Sequence, residues 1–270
     1  MKGESSMSLI NYEKRDKIAY ISYNRPEKMN SLSPEMLNEL AQVWLDFRAD
    51  DSLWVAVLSG EGKAFCTGAD FAGFGAFDSY PLLQDPTPPT PVSTSPAILA
   101  SPNRYGITKP VIGAIHRYAL GGGLWLALET DIRIATEDTL FGFPEPKFGN
   151  ATKIALPLLY EVSPAIAYEI LYLGDRITAK RAYEVGLINR VVSDRDELMS
   201  TATEIAEKIC QNGPLAVRTM KEAIMRWRNW MYQGQQVFME YICSPSWTSE
   251  EFEEGRQAFL EKRKPVWTGK

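Results

Sequence analysis

The stretch Arg117-Tyr118-Ala119-Leu120-Gly121-Gly122-Gly123-Leu124-Trp125-Leu126-Ala127-Leu128-Glu129-Thr130-Asp131 decides how the rest of the chain is read. The apolar run Pro110-Val-Ile-Gly-Ala-Ile115 leads into it and has the composition of a buried strand. Three glycines follow, and Leu124 to Leu128 then favour a helix. A strand, a glycine turn and a helix start leave main-chain N–H groups without intrahelical acceptors, at the positive end of the helix dipole. Glycine lets another group approach that backbone closely. Such a place suits an oxyanion, or a carbonyl oxygen becoming one. A glycine turn that only lets helix and strand pack is the alternative reading. Neither Gly-x-x-x-x-Gly-Lys-Ser/Thr nor Gly-x-Gly-x-x-Gly occurs, so the turn is not a nucleotide phosphate loop.

The chain has 270 residues, 45% of them hydrophobic, enough for a full core. Its net charge of −5, without a long basic run, argues against nucleic acid as a partner. Cys66, Cys210 and Cys243 show no paired spacing and His116 is the sole histidine, which disfavours disulfides and zinc and suits a reducing compartment. No basic-then-apolar leader and no apolar run approaching ~18 residues is present, so the expected location is cytoplasmic, with no membrane partner.

Outward from the glycines, the pattern predicts strands at 18–23, 54–59, 63–70, 131–135 and 187–192. Ser33-Pro34 predicts a helix start with Met36, Leu37, Leu40, Val43, Trp44 and Phe47 on its inner face. Residues 154–172 read as mainly helical, Thr178 caps a helix over 179–185, and Gly186 ends it. From Asp194 onward the chain reads as helix: 198–211, 215–232 and 250–262. Residues 75–108 read as a long proline-rich insertion, and Phe74, Phe77, Tyr80, Leu82 and Leu83 before it either line a pocket or pack on the surface. The expected organisation is an α/β catalytic core over 1–200 and a helical region over 201–270 whose apolar residues serve assembly.

Several motifs in order carry a resemblance. Phe65-Cys-Thr-Gly-Ala-Asp70, Lys109-Pro-Val-Ile112, Tyr118-Ala-Leu-Gly-Gly-Gly123 and Phe141-Gly-Phe-Pro-Glu145 resemble the crotonase superfamily of enoyl-CoA hydratases and isomerases. Asn24-Arg25-Pro26, Gly174-Asp-Arg-Ile-Thr-Ala179 and Phe259-Leu-Glu-Lys-Arg263 support it. The likeness runs from about residue 10 to the C-terminus, interrupted at the proline-rich stretch. It implies a ββα superhelix with a helical C-terminal trimerisation region, assembled as a trimer or a hexamer. It implies an acyl-CoA substrate of the kind met in fatty acid metabolism, with coenzyme A as part of the substrate and no separate cofactor. The amides of Ala69 and Gly122 then hold the thioester oxygen and Glu145 is the catalytic acid/base. Lys28, Met29, Thr67, Gly68, Asp70, Phe71, Phe259 and Lys262 fall at coenzyme A positions, the last two reaching a neighbouring subunit, and Tyr118, Gly121, Trp125 and Pro144 line the acyl site.

Three places depart from the pattern, the first of them at a catalytic position. Hydratases carry a further glutamate three residues after the middle glycine, and here Trp125 stands there. Indole offers one donor and no exchangeable acid near neutral pH. Glu129, about 6 Å further along the helix axis, is expected to be structural, as are Asp70 and His116. Arg117 replaces a usual glycine, and residues 149–155 lack the usual proline- and glycine-rich run. With one glutamate, double-bond isomerisation is the most economical expectation. Hydration or dehydration of an unusual or cyclic enoyl-CoA, C–C or thioester hydrolysis, and passive acyl-CoA binding are the alternatives.

Overall fold

A computed structural model describes residues 8–70, 99–233, 242, 243, 246 and 249–268. Among these, one sheet runs in the order β1 (Ile10–Arg15), β2 (Ile18–Tyr23), β3 (Val55–Gly60), β4 (Val111–Ile115), β6 (Ile132–Thr136) and β9 (Arg190–Val192). Only the β1–β2 pair is antiparallel. A smaller sheet joins β5 (Tyr118–Leu120), β7 (Leu140–Gly142) and β8 (Ile177–Thr178).

Every residue of β3 and β4 is buried, which is why these strands read as unbroken apolar runs and not as alternations. Successive side chains still point to opposite faces. Ala56 and Leu58 join a core containing Leu37, Leu40, Trp44 and Phe47 of helix α1 (Pro34–Ala49). Val55 and Val57 join a second core with Leu198, Ala202, Ile205 and Ala206 of α6 (Arg195–Cys210). The expected boundary at residue 200 thus falls inside a helix that covers the main sheet.

The start of α1 follows the local code: the Ser33 hydroxyl accepts from the Met36 amide and Pro34 occupies the first turn. Trp44, fully buried, donates from Nε1 to the Ala100 carbonyl at 2.9 Å. Residues 71–98, with Phe71, Phe74, Phe77, Tyr80, Leu82 and Leu83, lie outside the described residues. Residues 99–108, expected as the end of a loop, instead contribute buried Leu99 and Ala100 and a 3-10 turn at Pro102–Tyr105. Their proline-rich context hides a segment that Trp44 draws into the core.

Other expectations need correction. The segment 63–70 forms no ladder, only single bridges of Leu32 with Ala69 and Cys66 with Ala119. The helical run 154–172 is broken into α3 (Leu158–Glu161) and α4 (Pro164–Leu173), because Pro164 cannot continue a helix. The glycine run is reached through β5, not directly from β4. Arg117, at φ +58°, turns the chain out of the first sheet into the second. Further helices are α2 (Gly122–Leu128), α5 (Ala179–Glu184), capped by Thr178, α7 (Pro214–Gln233) and α8 (Glu250–Leu260).

Candidate active site

Residues 66–69 run alongside β5 and the start of α2 (Gly122–Leu128). Cys66 donates to the Tyr118 carbonyl at 3.0 Å and accepts from the Leu120 amide at 3.1 Å. Glycines allow this approach. A Cβ on Gly123 would stand 2.1 Å from the Cys66 oxygen, and one on Gly68 would stand 3.0 Å from the Gly122 nitrogen. The Ala69 nitrogen lies 3.9 Å from where a Cβ of Gly122 would be. Leu32 brackets Ala69, its amide donating to Gly68 O at 2.8 Å and its carbonyl accepting from Asp70 N at 3.1 Å. Since successive N–H groups of an extended segment point to opposite sides, the Ala69 amide faces away from Leu32. Gly122 opens α2, so its N–H has no intrahelical acceptor. Among the described residues neither amide donates to a main-chain oxygen. Two free donors therefore sit side by side at a helix start.

The acid comes from the second sheet. β5 and β7 pair with Leu120 opposite Gly142, and Gly121 N donates to Gly142 O at 2.9 Å. The chain leaving β7 passes Phe143 and Pro144 and places Glu145 over the glycine run. Gly121 adopts φ 54°, ψ −123°, and a Cβ there would stand 2.8 Å from Glu145 Oε1. Glycine is thus required twice at this position, for its conformation and for the space the carboxyl fills. Glu145 Oε2 is buried with no hydrogen-bond partner among the described residues. Burial pushes the Glu145 carboxyl up to about 7, the range in which a carboxylate works as a base and its acid as a donor near neutrality. A buried oxygen left unpaired in this way is unusual.

The chain matches the family model described as Enoyl-CoA hydratase/isomerase over residues 13–270. Mevalonyl-coenzyme A hydratase of Aspergillus fumigatus is 34% identical over 256 residues, covering 93% of this chain and 91% of that protein. (E)-benzylidenesuccinyl-CoA hydratase of Thauera aromatica is 32% identical over 268 residues, covering 96% and 99%. The crystal structure of an enoyl-CoA hydratase/isomerase from Pseudoalteromonas atlantica T6c superposes with TM-score 0.83 at 26% identity, covering 96% of this chain and all of that one. The chain belongs to the enoyl-CoA hydratase/isomerase family.

As an enzyme of the enoyl-CoA hydratase/isomerase family it acts on acyl-CoA, through the crotonase fold. The structure brings together most of the residues expected at the site. Exposed Met29 accepts through its carbonyl from Thr67 Oγ1 at 3.3 Å, so the Lys28–Met29 turn and Thr67–Asp70 form one surface edge. Asp70 is held by Arg25, with Nη1 to Oδ2 at 2.7 Å. The Tyr118 ring lies beside two guanidinium groups, those of Arg117 and Arg176, at 5.9 and 5.5 Å. Trp125, 4% exposed, follows one turn after the glycines, its amide donating to Gly121 O at 3.0 Å. Pro144 starts the 3-10 turn Glu145–Phe148. Phe259 packs edge-on against Phe148 of the same chain, ring centroids 5.3 Å apart, and Lys262 is exposed just beyond.

The carboxylate and imidazole set aside from catalysis have structural partners in this enzyme. Glu129 accepts from Ser101 Oγ and Asn103 Nδ2, each at 2.5 Å. His116 Nε2 bonds the Gly62 carbonyl at 3.1 Å, and burial pushes the ring down to about 4. Arg117 reaches Asp138 on the surface. Leu32 was not foreseen, because its bracket is a main-chain pairing between distant segments that leaves no periodic trace. No group of His, Cys, Asp and Glu among the described residues is arranged to hold a metal ion. No described helix is long and apolar enough to cross a membrane.

Proposed function

We propose that this protein isomerises the double bond of an enoyl-CoA thioester with Glu145 as its single acid/base. Glu145 takes a proton from C2 of a 3-enoyl thioester. The electron pair moves onto the carbonyl oxygen between the Ala69 and Gly122 amides, and the proton returns at C4. The observation that carries this reading is the position of the Glu145 carboxyl over Gly121, next to the two unpaired amides, with buried Trp125 where a second glutamate would be. One oxyanion-hole donor typically contributes ~3 kcal/mol to the barrier. Lys28 and Lys262 supply positive charge for the coenzyme A phosphates, and no cofactor beyond the substrate's own coenzyme A is called for.

The names of the two relatives favour a second reading, since both are hydratases. A single carboxylate also suffices for syn elimination: Glu145 removes the C2 proton of a 3-hydroxyacyl thioester and delivers it to the departing hydroxyl, giving the enoyl thioester and water. Turnover of 3-enoyl, 2-enoyl and 3-hydroxyacyl thioesters in heavy water separates the two. Deuterium at C4 of the product supports isomerisation. A hydroxyl gained or lost at C3, with no label at C4, overturns it in favour of hydration or dehydration.

The proposed assembly is a homotrimer, or a hexamer made from two trimers. Met220, Ile224 and Trp227 recur at helical spacing along α7 and are all exposed in the single chain. The proposed location is cytoplasmic, in keeping with free Cys66, Cys210 and Cys243.

A further inference from the structure

The oxyanion hole is made of main chain, so something must hold the main chain still. Gly122 is held by the helix it opens. Ala69 has no helix of its own, and its position depends on Leu32. Leu32 follows a tight turn in which Met29 and Asn30 both adopt positive φ, at 51° and 55°. Arg25 ties that turn together. Its amide donates to Asn30 Oδ1 at 2.8 Å, and its carbonyl accepts from Asn30 N at 3.0 Å. Asn30, fully buried, donates from Nδ2 to the carbonyls of Glu61 at 2.9 Å and Ala64 at 2.7 Å. Arg25 is thereby anchored to the end of β3.

The guanidinium then spans the two sides of the bridge. A single nitrogen, Nη1, lies 3.1 Å from Ser31 O, 3.1 Å from Ser31 Oγ and 2.7 Å from Asp70 Oδ2. Ser31 precedes Leu32 on one side, and Asp70 follows Ala69 on the other. The side chains of Arg25 and Asp70 are 16% and 17% exposed, so solvent screens this pair far less than a surface ion pair.

We propose that Arg25 is a positioning residue for the oxyanion hole, fixing the Ala69 amide through Asp70 and Ser31. It does not touch the reacting atoms. The inference rests on the oxyanion reading above and adds to it the device that keeps one of the two donors in place. Lysine is a poor substitute even though one nitrogen makes all three contacts, because its ammonium rides on a flexible stem whereas the guanidinium is planar and pre-organised.

The test uses butyryl-CoA carrying 13C at the thioester carbonyl, a saturated probe with no double bond to move. In the wild-type protein, binding lowers the carbonyl stretching frequency, as two donors polarise the bond. In Arg25→Lys and in Asp70→Asn that shift falls to about half or less, while in Arg25→Lys the Kd for the probe changes less than about threefold. Solvent deuterium enters C2 of the bound probe about tenfold more slowly in both variants, a fraction of the loss expected from removing a donor outright. A full wild-type shift in both folded variants overturns the role of Arg25 and leaves the hole intact. A wild-type protein that binds the probe with no shift at all overturns the hole and the positioning role together. If Arg25→Lys does not fold, Asp70→Asn, which keeps the acceptor and removes the charge, decides alone.

Discussion

Glu145 combines a buried, unpaired oxygen with a carboxyl raised to about 7, and both features bear on rate and stability. As the proposed base it must be ionised, so kcat/KM should fall as pH drops through about 7, with a single acid limb. Glu145→Gln should lower turnover by about 10²- to 10⁴-fold and abolish that limb, which steady-state assays across pH will show. The same group acts oppositely on stability. Its folded-state value lies above the ordinary 4.5, so between those two values the folded state holds more protons than the unfolded one. Stability therefore declines as pH rises through that window. The glutamine variant escapes this penalty. It should be more stable than wild type at pH 8 by up to ~3 kcal/mol. Thermal denaturation at pH 8 and at pH 4.5 checks this, since the advantage should vanish at the lower pH.

The strand–turn–helix unit around the glycines shows how contacts set residue choice. Gly123→Ala pushes a methyl to within 2.1 Å of the Cys66 oxygen. The segment carrying Ala69 must then move, and the loss of stability should be about 3 kcal/mol or more, at the upper end for overpacking. Gly186→Ala is the comparison: it has φ +81° and no neighbour within 4 Å, so only the conformational penalty applies, about 1 kcal/mol. Denaturant titrations of both variants, with turnover measured alongside, separate packing from backbone strain. What was legible in the sequence follows the same division. Ser33, Thr178 and Gly186 act locally, within a few residues, and each was read correctly from its neighbours. The Ala69–Gly122 pair was legible because its glycines and flanking motifs stand in an ordered series. β1, INYEKR, was missed because an edge strand keeps charged side chains in solvent and loses the apolar signature. In the second sheet, β5, β7 and β8, of two or three residues, are too short for alternation to register. Arg25 stood in plain view in a turn motif, but its partners Ser31 and Asp70 are joined only by the fold.

Across the chain, the described surface leaves Leu215, Met220, Ile224 and Trp227 of α7 exposed, more apolar area on one helix than a lone soluble chain ordinarily shows. If this face joins copies in the proposed trimer, Ile224→Glu should shift the sedimentation coefficient from that of the assembly to that of a single chain. Circular dichroism should stay unchanged, because the side chain lies outside both cores. A sedimentation profile identical to wild type would remove α7 from the interface. The last helix belongs to a different arrangement. α8 packs on the turn that carries Glu145, with Gly255 so close to Phe148 that a Cβ would meet its carbonyl carbon at 2.5 Å. The far end of the chain therefore supports the proposed base from behind.

In the proposed mechanism the oxygen is gripped by peptide bonds and not by side chains, so no single amino-acid exchange at Ala69 deletes its hydrogen-bonding group, apart from proline. Selection can then rework side chains around the proposed site to suit new acyl shapes while the proposed main-chain grip is inherited unchanged. A saturation library at the Trp125 codon should lose many variants to misfolding, since truncating this buried side chain costs about 3–5 kcal/mol, and altered thioester preferences should appear among the large apolar replacements.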